Sequence, residues 1–146
     1  MKLHLHPYLF ICLFFIIKNC PAQTQQVRFN LVSGSNGIYL GKINGITRDP
    51  QGVMWFSDQD HQSIIRYDGN SMTSFPFDAK NSNSLGGRYP ECIYADSAGI
   101  IWIGFTGSGL DRFDPATSTF THFRHQTNDT GSIASDIVSA LLVDHL

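Results

Sequence analysis

Residues 93–103 read Ile-Tyr-Ala-Asp-Ser-Ala-Gly-Ile-Ile-Trp-Ile, and residues 46–56 read Ile-Thr-Arg-Asp-Pro-Gln-Gly-Val-Met-Trp-Phe. Isoleucine, aspartate, glycine and tryptophan recur in register, each displaced by 47 residues. The likeness continues downstream, where Ser74–Phe77 corresponds to Phe120–Phe123, and Leu141–Asp144 begins a third copy. An internal repeat of 47–48 residues is therefore the main organising feature of the chain.

The local pattern of the repeat indicates β-strands. A period of this length is typical of helical repeats and of propeller blades. Each unit, however, holds four short runs rich in β-branched and aromatic residues, separated by turn-forming residues, and no helical period is sustained. In the second unit the runs are Cys92–Asp96, Ile100–Phe105, Gly109–Asp114 and Thr119–Arg124. The sequence therefore predicts an all-β protein, a partial β-propeller of about two and a half four-stranded blades.

Several residues are expected to be structural. The repeated Asp and Gly flank a hairpin turn, where the carboxylate caps the turn and glycine supplies positive φ. The repeated Trp follows within an apolar inner strand, so it should pack between adjacent blades. Pro76 lies in a fourth run and is tolerated on an outer edge strand. The predicted structural residues are Asp49, Gly52, Trp55, Asp96, Gly99 and Trp102.

The amino terminus has the order of a secretory signal peptide. Lys2 is followed by an apolar run, Tyr8–Ile17, and Ala22 offers a cleavage point, so residues 1–22 are predicted to be removed. An uncleaved membrane anchor is the alternative. Residues 23–146 then form an incomplete β-propeller, with blade-like repeats at 43–78 and 91–124 and a third starting at 137. Cys92 is the one cysteine beyond this leader, so no intrachain disulfide is expected.

Charge and composition exclude some partners. Ten basic and twelve acidic residues give a net charge of −2, which provides no electrostatic footprint for nucleic acid. No Cys or His pair has zinc spacing, and we predict no metal, no cofactor and no catalytic residue. His61 lies beside Asp58 and Asp60, a carboxylate–imidazole cluster that we interpret as a solvated loop.

Four residues are candidates for ligand contact. Loops that enter the innermost strand of a blade often carry binding residues. Arg88, Tyr89 and Glu91 lie at such a position, and Arg48 ends the corresponding strand of the first unit. Arg with Tyr is a common pair for sugars or anions, and a carbohydrate is the candidate ligand. The alternative is that Arg88 and Tyr89 only pack and pair between blades.

The second unit resembles the two-component regulator propeller repeat. The resemblance rests on Gly99–Gly104, Gly109–Pro115, Phe120–Phe123 and the connector Gly131–Val138, whereas Phe56–Asp58 departs from the pattern. It implies an N-terminal fragment of an exported, periplasmic ligand-sensing propeller, belonging to a hybrid two-component histidine kinase-like receptor that acts in signal transduction and glycan sensing. The kinase domain and the membrane attachment are expected only in the full-length receptor, so this chain is not expected to be an enzyme.

Two other functions remain open. Gly52–Phe56 slightly resembles the repeat of streptogramin lyases, and such propeller enzymes and lactonases hold a divalent cation around a central channel. Glu91 is the one glutamate in the chain, and no histidine lies near a predicted inner strand, which favours the sensor. The third reading is an oligomerising binding module.

The expected partners are the remaining blades of a larger receptor or further copies of this chain. Terminal blades leave apolar faces without neighbours, and we expect Val53, Trp55, Ile101 and Ile103 on those faces. The partial strand Ile137–Asp144 should add an unpaired apolar edge, which is a template for association. The fragment 23–146 is therefore expected to associate rather than remain a monomer.

Overall fold

The structure, a computed structural model, describes Val32 and residues 34–144, and every regular element in that part of the chain is a β-strand. Two four-stranded antiparallel sheets follow one another, each with its strands in chain order. Blade one contains β1 (Ile43–Arg48), β2 (Met54–Asp58), β3 (Ser63–Tyr67) and β4 (Met72–Pro76). Blade two contains β5 (Pro90–Ala95), β6 (Ile101–Phe105), β7 (Leu110–Asp114) and β8 (Thr119–Phe123). The all-β, blade-like architecture predicted from the repeat is confirmed.

The described residues all belong to one compact unit, Val32–Leu146. The predicted signal peptide, residues 1–22, lies outside the described part of the chain. Within the described part, no helix has the length and apolar character needed to cross a membrane.

A hairpin turn held by an aspartate side chain, which we call the bracketed turn, joins the first strand of each blade to the second. In blade one, Oδ1 of Asp49 accepts the backbone N–H groups of Gln51 (3.0 Å) and Val53 (2.9 Å). Gly52 has a φ of 89°, which an L side chain rarely adopts. The second carboxylate oxygen of Asp49 accepts the indole Nε1–H of Trp55 at 2.9 Å, so one side chain fixes both the turn and the tryptophan.

Blade two repeats this turn almost atom for atom. Oδ1 of Asp96 accepts the N–H groups of Ala98 and Ile100, both at 2.9 Å, and Gly99 has a φ of 83°. Oδ2 of Asp96 accepts the Nε1–H of Trp102 at 2.9 Å. The sequence repeat is therefore also a repeat of hydrogen bonds.

The main core lies between the two blades. Trp55 stacks on Phe75 at 5.9 Å between ring centroids and meets Phe113 of blade two edge-on at 5.8 Å. Phe113 in turn stacks on Phe120 at 4.4 Å. Fully buried side chains surround them: Ile64, Leu85, Ile101, Ile103 and Phe105. Because aromatic pairs from both sheets interlock here, the two blades form one core.

The expectation that Val53, Trp55, Ile101 and Ile103 lie on uncovered faces is wrong. Trp55, Ile101 and Ile103 have no exposed surface, and Val53 packs against the same core. Successive side chains of a strand point to opposite faces, so Trp55 of β2 and the two isoleucines of β6 face each other across the blades. The uncovered face of blade two instead carries the alternate residues, Tyr94, Trp102, Leu110 and Phe123, which we call the open face.

The strand predicted over Ile137–Asp144 is also wrong for the part the structure describes. Ile137 forms a single bridge with Thr106, and the N–H of Val138 donates to the carbonyl of Phe105 at 2.9 Å. No strand continues through residues 139–144. In both blades the first strand is held by the second, and residues 139–144 have no such partner among the described residues.

Candidate functional site

The proposed ligand residues are divided between two ends of the blades. Arg88 and Tyr89 immediately precede β5, and Glu91 lies near its start. Nδ2 of Asn44, which precedes Glu91 by one repeat, donates to Oε2 of Glu91 at 3.2 Å. Arg48 lies four residues further along β1, roughly 13 Å away along the strand. The structure therefore brings together Arg88, Tyr89 and Glu91, which we call the ligand corner, and separates Arg48 from them.

Arg88 is held by residues of blade one and its connector. Cζ of its guanidinium lies 4.9 Å from the ring centroid of Phe77, a cation–π geometry. Nη1 of Arg88 donates to Oε1 of Gln62 at 3.1 Å. An arginine has five N–H donors in a planar fork, so further donors remain available on this exposed side chain.

A cavity of 320 Å³ lies beside Arg88. Tyr89, half of whose surface is exposed (51%), stands at its rim. Gly87 is needed here, because a Cβ at that position would lie 2.5 Å from Cβ of Ser108. The remaining lining residues are Phe77, Gly86, Thr106 and Gly107. The cavity thus combines an aromatic ring, a guanidinium and hydroxyl groups.

Glu91 joins the two blades at their inner end. Its Oε2 accepts hydrogen bonds from Asn44 of blade one and from Oγ1 of Thr106 of blade two, the latter at 3.3 Å. Nearby, Nζ of Lys42 donates to Oε1 of Gln59 at 2.6 Å. These contacts agree with a structural role for Glu91. Because Thr106 also lines the cavity, they place polar groups at the rim of that cavity.

A buried carboxylate that contacts the backbone of Gly86 was not predicted from the sequence. Asp111 has no exposed surface, and its Oδ2 accepts the backbone N–H of Gly86 at 2.7 Å. Its Oδ1 accepts Nδ1–H of His122 at 2.8 Å and both terminal nitrogens of Arg124 at 3.1 Å. We call Asp111, His122 and Arg124 the clamp. The burial of Asp111 could have been predicted from the sequence, because Asp111 lies two residues before Phe113 in the same strand and therefore shares its buried face.

The loop of His61 exposes Asp60 and His61, as expected of a solvated loop, but Asp58 at its start is buried. Asp58 is fully buried and accepts the N–H of Gly41 at 2.8 Å and both Nδ1 (2.8 Å) and N–H (3.1 Å) of His61. Burial alone would raise the pKa of Asp58, but these hydrogen bonds outweigh it and lower the pKa below its usual 3.8. The pair fastens the segment before β1 to the β2–β3 loop. Among the described residues, no group of three His, Cys, Asp or Glu is arranged to hold a metal ion.

A second cleft, of 390 Å³, opens at the end of the blades where Arg48 lies. It runs between the bracketed turns of the two blades and is lined by Trp55 and by Arg66, which pairs with Asp68 at 3.7 Å. The other lining residues are Asp49, Gln51, Val53, Ala98, Gly99, Ile100, Asp114, Pro115 and Ala116.

Comparison with known proteins identifies the fold. No protein-family model matches the chain, and no curated protein matches it. The extracellular domain of the putative hybrid two component system BT3049 from B. thetaiotaomicron is similar to this chain, with 20% identity and a TM-score of 0.64. The match covers 78% of this chain and 15% of that one, so this chain spans about a seventh of the receptor domain.

Two further structures are similar over shorter stretches. The corresponding domain of BT4673 from the same organism matches with 26% identity and a TM-score of 0.47, covering 61% of this chain and 12% of that chain. A catalytically inactive virginiamycin B lyase from Staphylococcus aureus, solved with quinupristin, matches with 22% identity and a TM-score of 0.47. That match covers 64% of this chain and 33% of the lyase. The match to BT3049, with its TM-score of 0.64, shows that the chain has the fold of part of that extracellular domain, and the β-propeller resemblance predicted from the repeat is confirmed at the level of fold.

Proposed function

We propose that this chain is part of the exported, ligand-sensing propeller of a two-component sensor, acting in signal transduction by binding rather than by catalysis. The observation that carries the proposal is the two-blade fold, which the extracellular domain of a hybrid two-component system shares. The bracketed Asp–Trp turns make each blade a rigid support. Rigid supports with exposed residues at one loop are typical of binding modules.

The ligand corner is the proposed binding site. Tyr89 offers an exposed aromatic ring for one face of a sugar, and Arg88 offers free N–H donors for hydroxyl or acidic groups. Arg88 and Tyr89 line the 320 Å³ cavity. A carbohydrate with acidic or hydroxyl groups matches this chemistry. Arg48 is excluded from the site, because it lies at the opposite end of the strands.

Titration calorimetry with a panel of neutral and uronate-containing oligosaccharides tests the site. We expect Tyr89→Ala and Arg88→Ala each to weaken binding of a responsive oligosaccharide at least tenfold, which corresponds to about 1.4 kcal/mol. Arg48→Ala is the matched control, since it removes an exposed arginine at the other end, and binding should be unchanged. Equal losses in Arg88→Ala and Arg48→Ala would contradict the assignment.

The open face is the proposed contact with a partner. Trp102 stacks on Phe123 at 6.1 Å and 27°, much as Trp55 stacks on Phe75 at 5.9 Å and 28°. The Trp55 face is covered by the apolar face of blade two, which presents Ile101 and Ile103. We infer that the open face receives a further blade of the same type, belonging to a larger receptor. In the fragment 23–146 studied alone, the same face should drive self-association.

The proposed location is outside the cytoplasm, with cleavage after Ala22. Lys2, the apolar run and Ala22 support a signal peptide. Amino-terminal sequencing of periplasmic material should begin at Gln23. Recovery of the chain with Met1 in the membrane fraction would contradict this prediction.

The same binding assay separates the sensor from a propeller lyase. A sensor that only binds its ligand breaks no bond in it, so a bound ligand should be recovered unchanged. Cleavage of a streptogramin or a lactone, stimulated by added Mg²⁺ and abolished by a chelator, would overturn the non-enzymatic assignment.

A further inference from the structure

His122 is held between two groups that can only accept hydrogen bonds. Its Nδ1 lies 2.8 Å from Oδ1 of Asp111, and its Nε2 lies 3.1 Å from the carbonyl oxygen of Ser82. Both oxygens of Asp111 act as acceptors in this cluster, since they accept the N–H of Gly86 and the guanidinium of Arg124. Both contacts are hydrogen bonds only when both nitrogens of His122 donate, and an imidazole donates from both only when it is protonated.

The clamp joins two parts of the molecule that are distant in sequence. His122 and Asp111 belong to the outer strands of blade two, whereas Ser82 and Gly86 belong to the connector, residues 77–89, which links the blades. Arg124 adds a third tie, since its Nη2 donates to the carbonyl of Gly86 at 3.3 Å. A Cβ on Gly86 would collide with Arg124 and would lie 2.7 Å from both Asp111 and His122, so the backbone of the connector sits directly on the clamp.

We propose that His122 is a positioning residue whose protonation attaches the connector to blade two, making the placement of Arg88 and Tyr89 dependent on pH. The protonated ring makes both hydrogen bonds. The neutral ring retains its bond to Asp111 and turns a lone pair toward the Ser82 carbonyl, so that tie is lost. Deprotonation of the ring, which a rise in pH brings about, should therefore loosen the connector. The consequence for ligand binding rests on the proposed function; the attachment of the connector does not.

Three charged residues lie near His122, on β7, just after β8 and in the connector. Asp111 faces it from β7 with its Oδ1 2.8 Å from Nδ1, and Arg124, just after β8, shares that same oxygen at 3.1 Å. From the connector, Asp78 lines the same 250 Å³ cavity as His122 and Arg124. The side chain of His122 is 29% exposed, so its proton exchanges with solvent.

Blade one has no equivalent of this clamp. In the strand register, which displaces the fourth strands by two residues from the sequence correspondence, Ile65 occupies the place of Asp111, and Ser74 and Pro76 occupy the places of His122 and Arg124. The clamp is thus a device of the second blade and not a general requirement of the repeat.

Hydrogen–deuterium exchange of the full chain, followed by mass spectrometry, tests the proposal. Peptides covering residues 80–87 are measured at pH 5.5 and 8.5, with rates corrected for the intrinsic effect of pH. We expect protection to fall roughly fivefold at the higher pH, since one hydrogen bond is lost. In His122→Gln this fall should disappear.

The matched control is His125→Gln. His125 also lies near β8, and its Nδ1 contacts the carbonyl of Ile133 at 2.9 Å, yet it does not touch the connector before β5. Its substitution should leave the fall intact. Protection that does not change with pH in the unmodified chain, or a fall that persists in His122→Gln, would overturn the proposal.

A measurement on the unmodified chain covers the case in which the variant fails to fold. The ring ¹⁵N shifts of His122 at pH 5.5 should show both nitrogens protonated. A neutral ring at that pH would overturn the proposal, whatever the variant does.

Discussion

Trp55 and Trp102 occupy the same place in consecutive blades, yet only the first is fully buried. Each donates its indole N–H to an aspartate six residues earlier at 2.9 Å, and each stacks on an aromatic of the fourth strand. Trp55 has no exposed surface because blade two covers it. Trp102 remains partly exposed, and its stacking partner Phe123 is 37% exposed. Local geometry is therefore a property of the blade, whereas burial is a property of its neighbour.

The connectors show the same contrast. Oγ of Ser84 accepts the N–H of Asp78 at 3.0 Å, and Oγ of Ser132, 48 residues on, accepts the N–H of Gln126 at 3.0 Å. Leu85 then enters the core with no exposed surface, whereas Ile133 remains partly exposed. The serine hydrogen bond is thus the same in both connectors, whereas the apolar residue that follows the serine is fully buried only in the first.

The largest difference is expected between the two tryptophan truncations. Trp55→Ala removes a fully buried ring from the inter-blade core and should lower the free energy of unfolding by about 3–5 kcal/mol. Trp102→Ala removes a partly exposed ring and should cost roughly half as much. Urea midpoints of the two variants measure this. Equal losses would mean that Trp102 is covered to the same degree as Trp55.

The next effect concerns the carboxylates that hold the tryptophans. Asp49→Asn keeps the shape of the side chain but replaces one of its two accepting oxygens with an N–H₂ group. Either the indole N–H of Trp55 or the N–H groups of the turn then lose their acceptor, so we expect a loss of about 1–3 kcal/mol. Asp96→Asn should cost less, because water reaches the partly exposed Trp102. A larger loss in Asp96→Asn, read from the same urea midpoints, would reverse the comparison.

Much of this could be predicted from sequence because each blade is encoded locally. Asp49, Gly52 and Trp55 lie within seven residues, and their copies confirm the pattern. The face of each strand was harder to predict, since an apolar run such as Ile100–Ile103 does not show which side is covered. The clamp was missed because Asp111 meets Gly86 only through the path of the connector, which no local pattern specifies.

Acid should destabilise both blades through their aspartates. Burial raises the pKa of Asp96, but the hydrogen bonds from Trp102, Ile100 and Ala98 outweigh it, and the pKa lies below its usual 3.8, as it does for Asp58. A lowered folded-state pKa contributes stability that is present above the unfolded value and is lost as pH falls through the folded one. Urea midpoints should therefore decline below about pH 4.

Asp58→Asn and Asp96→Asn show which carboxylate causes the loss of stability in acid. Asp58→Asn should flatten the decline more than Asp96→Asn, because Asp58 is fully buried and Asp96 is not. An unchanged acid limb in both variants would show that other carboxylates govern it.

The smallest effect is expected at Cys92, which lies near the open face. Burial raises the pKa of its thiol, and the nearby charge of Glu91 adds to the rise. Its Sγ contacts the Val138 carbonyl at 3.5 Å. Iodoacetamide at pH 8 should modify Cys92 several times more slowly in the native chain than in urea, as read by peptide mapping. Equal rates would indicate that the native thiol is as accessible as in the unfolded chain.

The molar mass of residues 23–146 in solution, measured by size-exclusion chromatography with light scattering, tests the central claim most directly. The open face should drive association, so species larger than one chain are expected. Trp102→Glu places a charge on that face and should shift the mass toward a single chain, whereas Tyr89→Glu, at the ligand corner, should not. A monodisperse monomer with one cooperative unfolding transition in the unmodified chain would contradict the claim that this face requires a further blade.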